Sequence, residues 1–502
     1  MQKILKTLML GTSLTAVTGA AMAEGLVQQA GDSYYVAAQA QLMQKLSDQP
    51  NTRRAKNVIL FVVDGLSVPT ITASRIHEGQ LRGVDGESNV LSFEALLPYT
   101  ALSKTYTHDS QVADSAPTAT ALVSGVKSVN GTIGVTQAIK LENCASQKGA
   151  EVTTIFELAE QAGLSTGIVS TARITHATPA ATYAKVAGRD WENNSNLPEE
   201  AVQNGCKDIA AQLIDWPAGD GFEVVMGGGR GNFMLESQAD PEDETKMGAR
   251  TDGRDLVAEW LAKGNDRVFA WNKEGFDAID PAKSGKVFAL FNRSHMQYEA
   301  DRAKDAGGEP SLAEMSVKAL DVLAKNEDGF LLMVEGGRVD HAHHAGNAAR
   351  ALTDTIAVAE AVKAVSEKVD LDETLIILTA DHSHVFSIAG YPTRNNPILG
   401  IAGTADDNKP YTTLGYQNGP GAKVDAPRAD LTGVDTTDID FLQQALVPLG
   451  ESETHAGDDV AIFAQGPWAH LFHGVVEQNL VYHVMDHATG LSTRAALAAA
   501  GK

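Results

Sequence analysis

The stretch Phe330-Leu-Leu-Met-Val-Glu-Gly-Gly-Arg-Val-Asp-His-Ala-His-His-Ala-Gly346 constrains the fold more than any other part of this chain. Its first five residues form an unbroken apolar run, the signature of a parallel strand buried on both faces. The run turns polar at Glu335, and the Gly336-Gly337 pair supplies a turn that a Cβ would hinder. Asp340 and His344 follow four residues apart, so a helix beginning here puts both side chains on one face. A carboxylate and an imidazole together suit zinc, and an oxygen ligand at the strand tip, Glu335, suits a harder ion such as magnesium. For this segment alone, the competing interpretation is an acidic, histidine-bearing surface turn.

The pattern recurs along the chain. The apolar run 57–63 ends at Asp64-Gly65, 166–171 leads to Arg173 and His176, 222–226 leads to Gly227-Gly-Gly-Arg230, and 374–379 leads to Asp381-His382. Helical patterns at 153–162, 201–214, 311–325 and 348–368 lie between them. Alternating buried strands and helices predict an α/β fold, a mostly parallel central sheet with helices on both faces. Ligands of such sheets bind beyond the carboxyl ends of the strands, where Asp64, Glu335, Asp381 and His382 fall. From 391 to 450 the alternation gives way to Pro, Gly, Asn, Thr and Asp, which predicts a loop-rich insertion. The expected organisation is an export segment at 1–23, a helical arm at 24–56 with its helix at 34–46, a core at 57–390, the insertion at 391–450, and a return to the core at 451–502.

Composition narrows the partners. The formal charge is −24, and loss of the export segment, with Lys3 and Lys6 and no acids, takes −24 to −26. That field opposes nucleic acid and anionic membrane surfaces. The lysines, an apolar core at 8–17 and Ala21-Met-Ala23 before Glu24 predict a periplasmic or secreted protein. No later run is long enough to span a bilayer. In an oxidising compartment the two cysteines, Cys144 and Cys206, can pair; free buried thiols are the alternative.

Asp64, Glu335, Asp340, His344, Asp381, His382 and His455 therefore form a candidate metal constellation, although singly each has a structural explanation. Asp114-Ser115-Ala-Pro117 through Gly125 adds a nucleophile: proline near the start and glycine past the end frame a short helix with Ser115 at its amino terminus. Free N–H groups there favour a phosphate or an alkoxide, and nearby zinc would activate the hydroxyl; the plain alternative is a serine cap. Arg189 is a candidate phosphate fork. Gly227-Gly-Gly-Arg230 is read as a strand-end turn rather than a phosphate cradle.

These motifs, with Thr171-Ala-Arg-Ile-Thr-His176-Ala-Thr178-Pro-Ala, Thr379-Ala-Asp381-His382-Ser-His-Val and Glu453-Thr-His455-Ala-Gly, resemble the alkaline phosphatase family, specifically its animal-type branch, over nearly the whole mature chain. The resemblance implies two zinc ions per chain, one on Asp340, His344 and His455 and one on Asp64, Asp381 and His382. It implies one magnesium on Asp64, Thr178 and Glu335. Ser115, close to the metals, would form a covalent phosphoserine, with Arg189 on the phosphate. His176 resembles a position held by histidine in animal forms and aspartate in the best-known enteric bacterial form, and His341 marks the other position where the branches differ. Both would meet magnesium or phosphate through water. The insertion resembles the family's crown, which implies a homodimer, and the cysteine spacing resembles a branch disulfide. Phe291-Asn292 departs from the phenylalanine-glutamate of the branch's calcium-type site. The expected activity is hydrolysis of phosphate monoesters. The rivals are a phosphodiesterase or sulfatase of the same superfamily and a noncatalytic periplasmic binder of zinc or phosphate.

Overall fold

The computed structural model describes residues 27–424 and 426–501. The expected export segment and its cleavage point lie outside them. A first compact unit ends at Pro50 and a second begins at Asn51. In the first, the expected helix is present as Ser33–Ser47, and the Asp32 carboxylate starts it by accepting from the N–H groups of Tyr34 and Tyr35. None of its side chains is buried.

The second unit is built on a ten-stranded sheet. Its strands are β1 (Asn57–Val62), β2 (Tyr99–Lys104), β3 (Ser165–Arg173), β4 (Val224–Gly228), β5 (Arg267–Ala270), β6 (Lys286–Leu290), β7 (Phe330–Glu335) and β8 (Thr374–Thr379), then Val460–Gln465 and Val475–Glu477. From one edge the order is Val475–Glu477, β2, Val460–Gln465, β8, β1, β7, β3, β4, β6, β5. Every neighbouring pair is parallel except those of Val460–Gln465, which runs against β2 and β8. The mostly parallel sheet is therefore as expected.

Side-chain alternation on β1 shows why both faces are apolar. Val58, Leu60 and Val62 enter one core with the helices Ser115–Ser124 and Ile155–Gln161, while Ile59 and Phe61 enter the other with Leu312–Leu323 and Ala348–Ser366. In register, Val62 lies beside Glu335 of β7 and Thr379 of β8. Three carboxyl ends are thus level, and Asp64, Glu335 and Asp381 emerge together at one sheet edge.

The pattern at 201–214 is not one helix. It forms Glu199–Asn204 and Ile209–Ile214, because Gly205 ends the first in the left-handed region at φ 76° and Asp208 caps the second. Cys206, between them, is disulfide-bonded to Cys144. The Gly227–Arg230 turn is structural: Arg230 is fully buried and forks onto Asp240 at 2.7 and 2.9 Å.

Between 391 and 450 the chain forms short strands. Ile401–Thr404 pairs with Pro410–Thr412, and Leu414–Asn418 pairs with Ala445–Val447 and with Phe386–Ile388, which precedes the segment. Among the described residues, no helix is long and apolar enough to cross a membrane.

Candidate active site

Ser115 opens the helix Ser115–Ser124, and Gly125 ends it at φ 79°. Asp114 is the cap, accepting the Ala116 N–H at 2.7 Å, so the Ser115 hydroxyl is not committed to capping. That hydroxyl lies 3.1 Å from His382 Nε2 and donates to Asp64 Oδ1 at 3.4 Å.

The first cluster grows from the helix Arg338–His344, where one turn separates Asp340 from His344 as expected. Asp340, His344 and His455 come together with His384. His344 Nδ1 donates to the Glu453 carbonyl and His455 Nδ1 to the Ala113 carbonyl, each at 2.7 Å. A carbonyl only accepts, so in the neutral rings both Nε2 atoms present lone pairs. The two Nε2 atoms are 3.0 Å apart, and each lies 3.3 Å from Asp340 Oδ1. Three facing acceptors repel one another unless a cation sits among them, and the nitrogen and oxygen donors fit zinc. Burial opposes charge on Asp340, yet His344 and His384 hold its carboxyl well below the usual range.

His384 plays a different part. Its Nε2 reaches Asp340 Oδ1 at 2.8 Å and its Nδ1 reaches Glu453 Oε2 at 2.7 Å. Burial disfavours its charge, but Glu453 and Asp340 outweigh burial and raise the imidazole to about 10. It donates to the Asp340 carboxylate rather than competing with it for a cation.

The second cluster joins Asp64, Asp381 and His382. His382 Nε2 is 3.3 Å from both Asp64 Oδ1 and Asp381 Oδ2. Burial, then Asp64, push Asp381 up to about 7, and burial holds His382 down to about 3. Crowded carboxylates with a neutral imidazole again suit a cation. In the third cluster, ligand atoms of Asp64, His176 and Glu335 lie within 4.8 Å of one another. Asp64 Oδ2, Thr178 Oγ1 and Glu335 Oε1 are buried oxygens without a hydrogen-bond partner. Such oxygens are costly unless a hard cation is present, which fits magnesium. Glu335 Oε2 accepts from the Ser170 hydroxyl.

Arg189 reaches Asp114 Oδ1 at 2.9 Å and His176 Nε2 at 3.0 Å. Burial and Arg189 depress His176, and burial depresses His341 to about 3. Both rings pack against His295, with centroids at 5.3 and 4.0 Å. Asp114, His384 and Glu453 fall within the motifs quoted from the sequence but were given no role there, and His295 was not singled out at all. Asn292 donates to Glu309 at 3.0 Å.

The model of the alkaline phosphatase family matches residues 55–491. The chain belongs to the alkaline phosphatase family. It is 44% identical to an alkaline phosphatase of Gadus morhua over 446 residues, covering 87% of this chain and 92% of that protein. It is likewise 44% identical over 447 residues to the tissue-nonspecific alkaline phosphatase of Homo sapiens, covering 87% and 84%. The alkaline phosphatase structure from Thermus thermophilus matches the fold with a TM-score of 0.63 at 24% identity, covering 90% of this chain and 97% of the other. Alkaline phosphatase membership makes the chain a phosphoric monoester hydrolase and removes the noncatalytic binder.

Proposed function

We propose that this enzyme is exported and hydrolyses phosphate monoesters through a phosphoserine on Ser115. The observation that carries the reading is the Ser115 hydroxyl, free of any capping role at a helix amino terminus and placed 3.1 Å from His382 Nε2 and 3.4 Å from Asp64 Oδ1. Two zinc ions would be held by Asp340, His344 and His455 and by Asp64, Asp381 and His382, and one magnesium by Asp64, Thr178 and Glu335. When bound, such ions lower the pKa of a hydroxyl and offset charge on the transferring phosphoryl group.

The chain's own residues supply positioning. Asp114 and His176 brace the Arg189 guanidinium at Nη1 and Nη2, and its remaining N–H donors would hold phosphate oxygens. The helix amino terminus offers N–H groups to the same anion. Ser115 Oγ bonds to phosphorus as the ester oxygen leaves; water then breaks the serine–phosphorus bond, releasing phosphate and restoring the hydroxyl. His176 and His341, neutral in their buried setting, offer dipoles rather than added charge.

Homodimerisation through 391–450 is part of the reading, supported by exposed apolar side chains including Tyr391, Leu446 and Val447. Acid quenching during turnover of an aromatic phosphate monoester should trap phosphate on Ser115. Ser115→Ala should lose the trapped phosphate and most turnover while retaining phosphate binding; near-full turnover would overturn the covalent route.

A further inference from the structure

Beyond the phosphate-binding groups, a polar pocket of about 260 Å³ is lined by Arg173, Glu192, Asn196, Asn232, Arg293 and Ser294, among others. A continuous run of side chains leads to it from the phosphate fork. Arg189 meets His176 at 3.0 Å, His176 packs edge-on to His295 at 5.3 Å, and His295 contacts Arg173. Arg173 in turn reaches Ser294 Oγ at 3.4 Å.

The two arginines of this pocket differ. Arg173 is neutralised by Glu192, which accepts from its Nε at 2.8 Å and also from its Nη2. Arg293 bonds only the Met247 carbonyl, at 2.7 and 3.2 Å, and pairs with no carboxylate among the described residues. Asn196 turns Oδ1 to Asn193 at 2.6 Å, which leaves its amide donors uncommitted. The Arg293 charge is felt by Asp243 but forms no direct ion pair among the described residues, and a guanidinium so placed beside spare donors can take an anion even on a chain of charge −24.

We propose that this pocket is a subsite for a second anionic group on the leaving alcohol. A substrate whose alcohol carries a further phosphate or carboxylate would set that group on Arg293 while its scissile phosphate lies at Ser115 and Arg189. The inference rests on the phosphomonoesterase reading and narrows it to a favoured substrate class.

The test compares kcat/KM for bisphosphates of linear diols of increasing length with the matching monophosphates, at constant ionic strength and saturating metal. A bisphosphate preference peaking at one chain length is expected. Arg293→Ala should lower kcat/KM for the optimal bisphosphate about tenfold, the scale of one charge-assisted hydrogen bond, and for monophosphates less than twofold. Arg293→Lys should restore part of the preference. No preference at any length, a length-independent preference, or equal losses for both substrate classes would overturn the subsite. Failure to hydrolyse monophosphates at all would instead strike the phosphomonoesterase reading. The wild-type length series decides the matter alone if the variant does not fold.

Discussion

His384 Nε2 lies 2.8 Å from Asp340 Oδ1, so a charged imidazole backs the carboxylate that faces His344 and His455. Glu453 fixes the ring from its other nitrogen. Outer partners of this kind typically change metal affinity about 10–100-fold. His384→Ala should weaken zinc binding by that order, read by titration against a competing chelator. An unchanged zinc midpoint would show that Asp340 is oriented without it.

The strand tips were legible because β7 is an apolar run closed by Glu335, and β1 and β8 are apolar runs followed two residues on by Asp64 and Asp381, a pattern set by burial on both faces. Asp340 and His344 were legible from helical spacing. β5 and β6 were not singled out: they are four and five residues long, and β5 begins with a half-buried Arg267. The interruption of 201–214 depends on Gly205 and on a disulfide to a distant residue. His384 owes its role to Glu453, 69 residues further on, and no local pattern encodes that pairing.

The Cys144–Cys206 disulfide spans 62 residues and lies outside every candidate metal cluster among the described residues. Its loss should therefore act on stability. In the chain-entropy account a loop of this size contributes about 4 kcal/mol. The double variant Cys144→Ser/Cys206→Ser should unfold at lower denaturant and keep kcat close to wild type at moderate temperature. Unfolding at an unchanged denaturant midpoint would contradict the assigned role.

Glu160 is a buried acid whose carboxyl is pushed up to about 8 by burial and then by Glu223, despite the Thr166 hydroxyl and Lys286. Asp220 adds to the same repulsion. A raised folded-state pKa means that the folded chain binds the proton more tightly than the unfolded chain. Stability from this group is complete below about 4.5 and is lost as pH climbs through about 8. Glu160→Gln keeps an acceptor for Thr166 and removes the titration. Its urea midpoint should match wild type near pH 5 and exceed it near pH 9, and a difference independent of pH would count against this origin.

His176 sits between Arg189 and the carboxylates of Asp64 and Glu335. Burial and the guanidinium keep it neutral, so it contributes no charge to the proposed magnesium cluster. An aspartate there would add a carboxylate beside Glu335 and Thr178, strengthening a hard-cation site, and would also draw Arg189 into an ion pair. Stronger metal binding should hold product phosphate longer, and release would then limit turnover. His176→Asp is expected to shift the magnesium midpoint of metal-stripped enzyme about 10–100-fold lower and to reduce kcat. If His176 only packs behind the Thr178-Pro179 turn, the variant will lose thermal stability while its magnesium midpoint stays where it was. Magnesium titration, kcat and thermal melting measured on the same preparations separate the two outcomes.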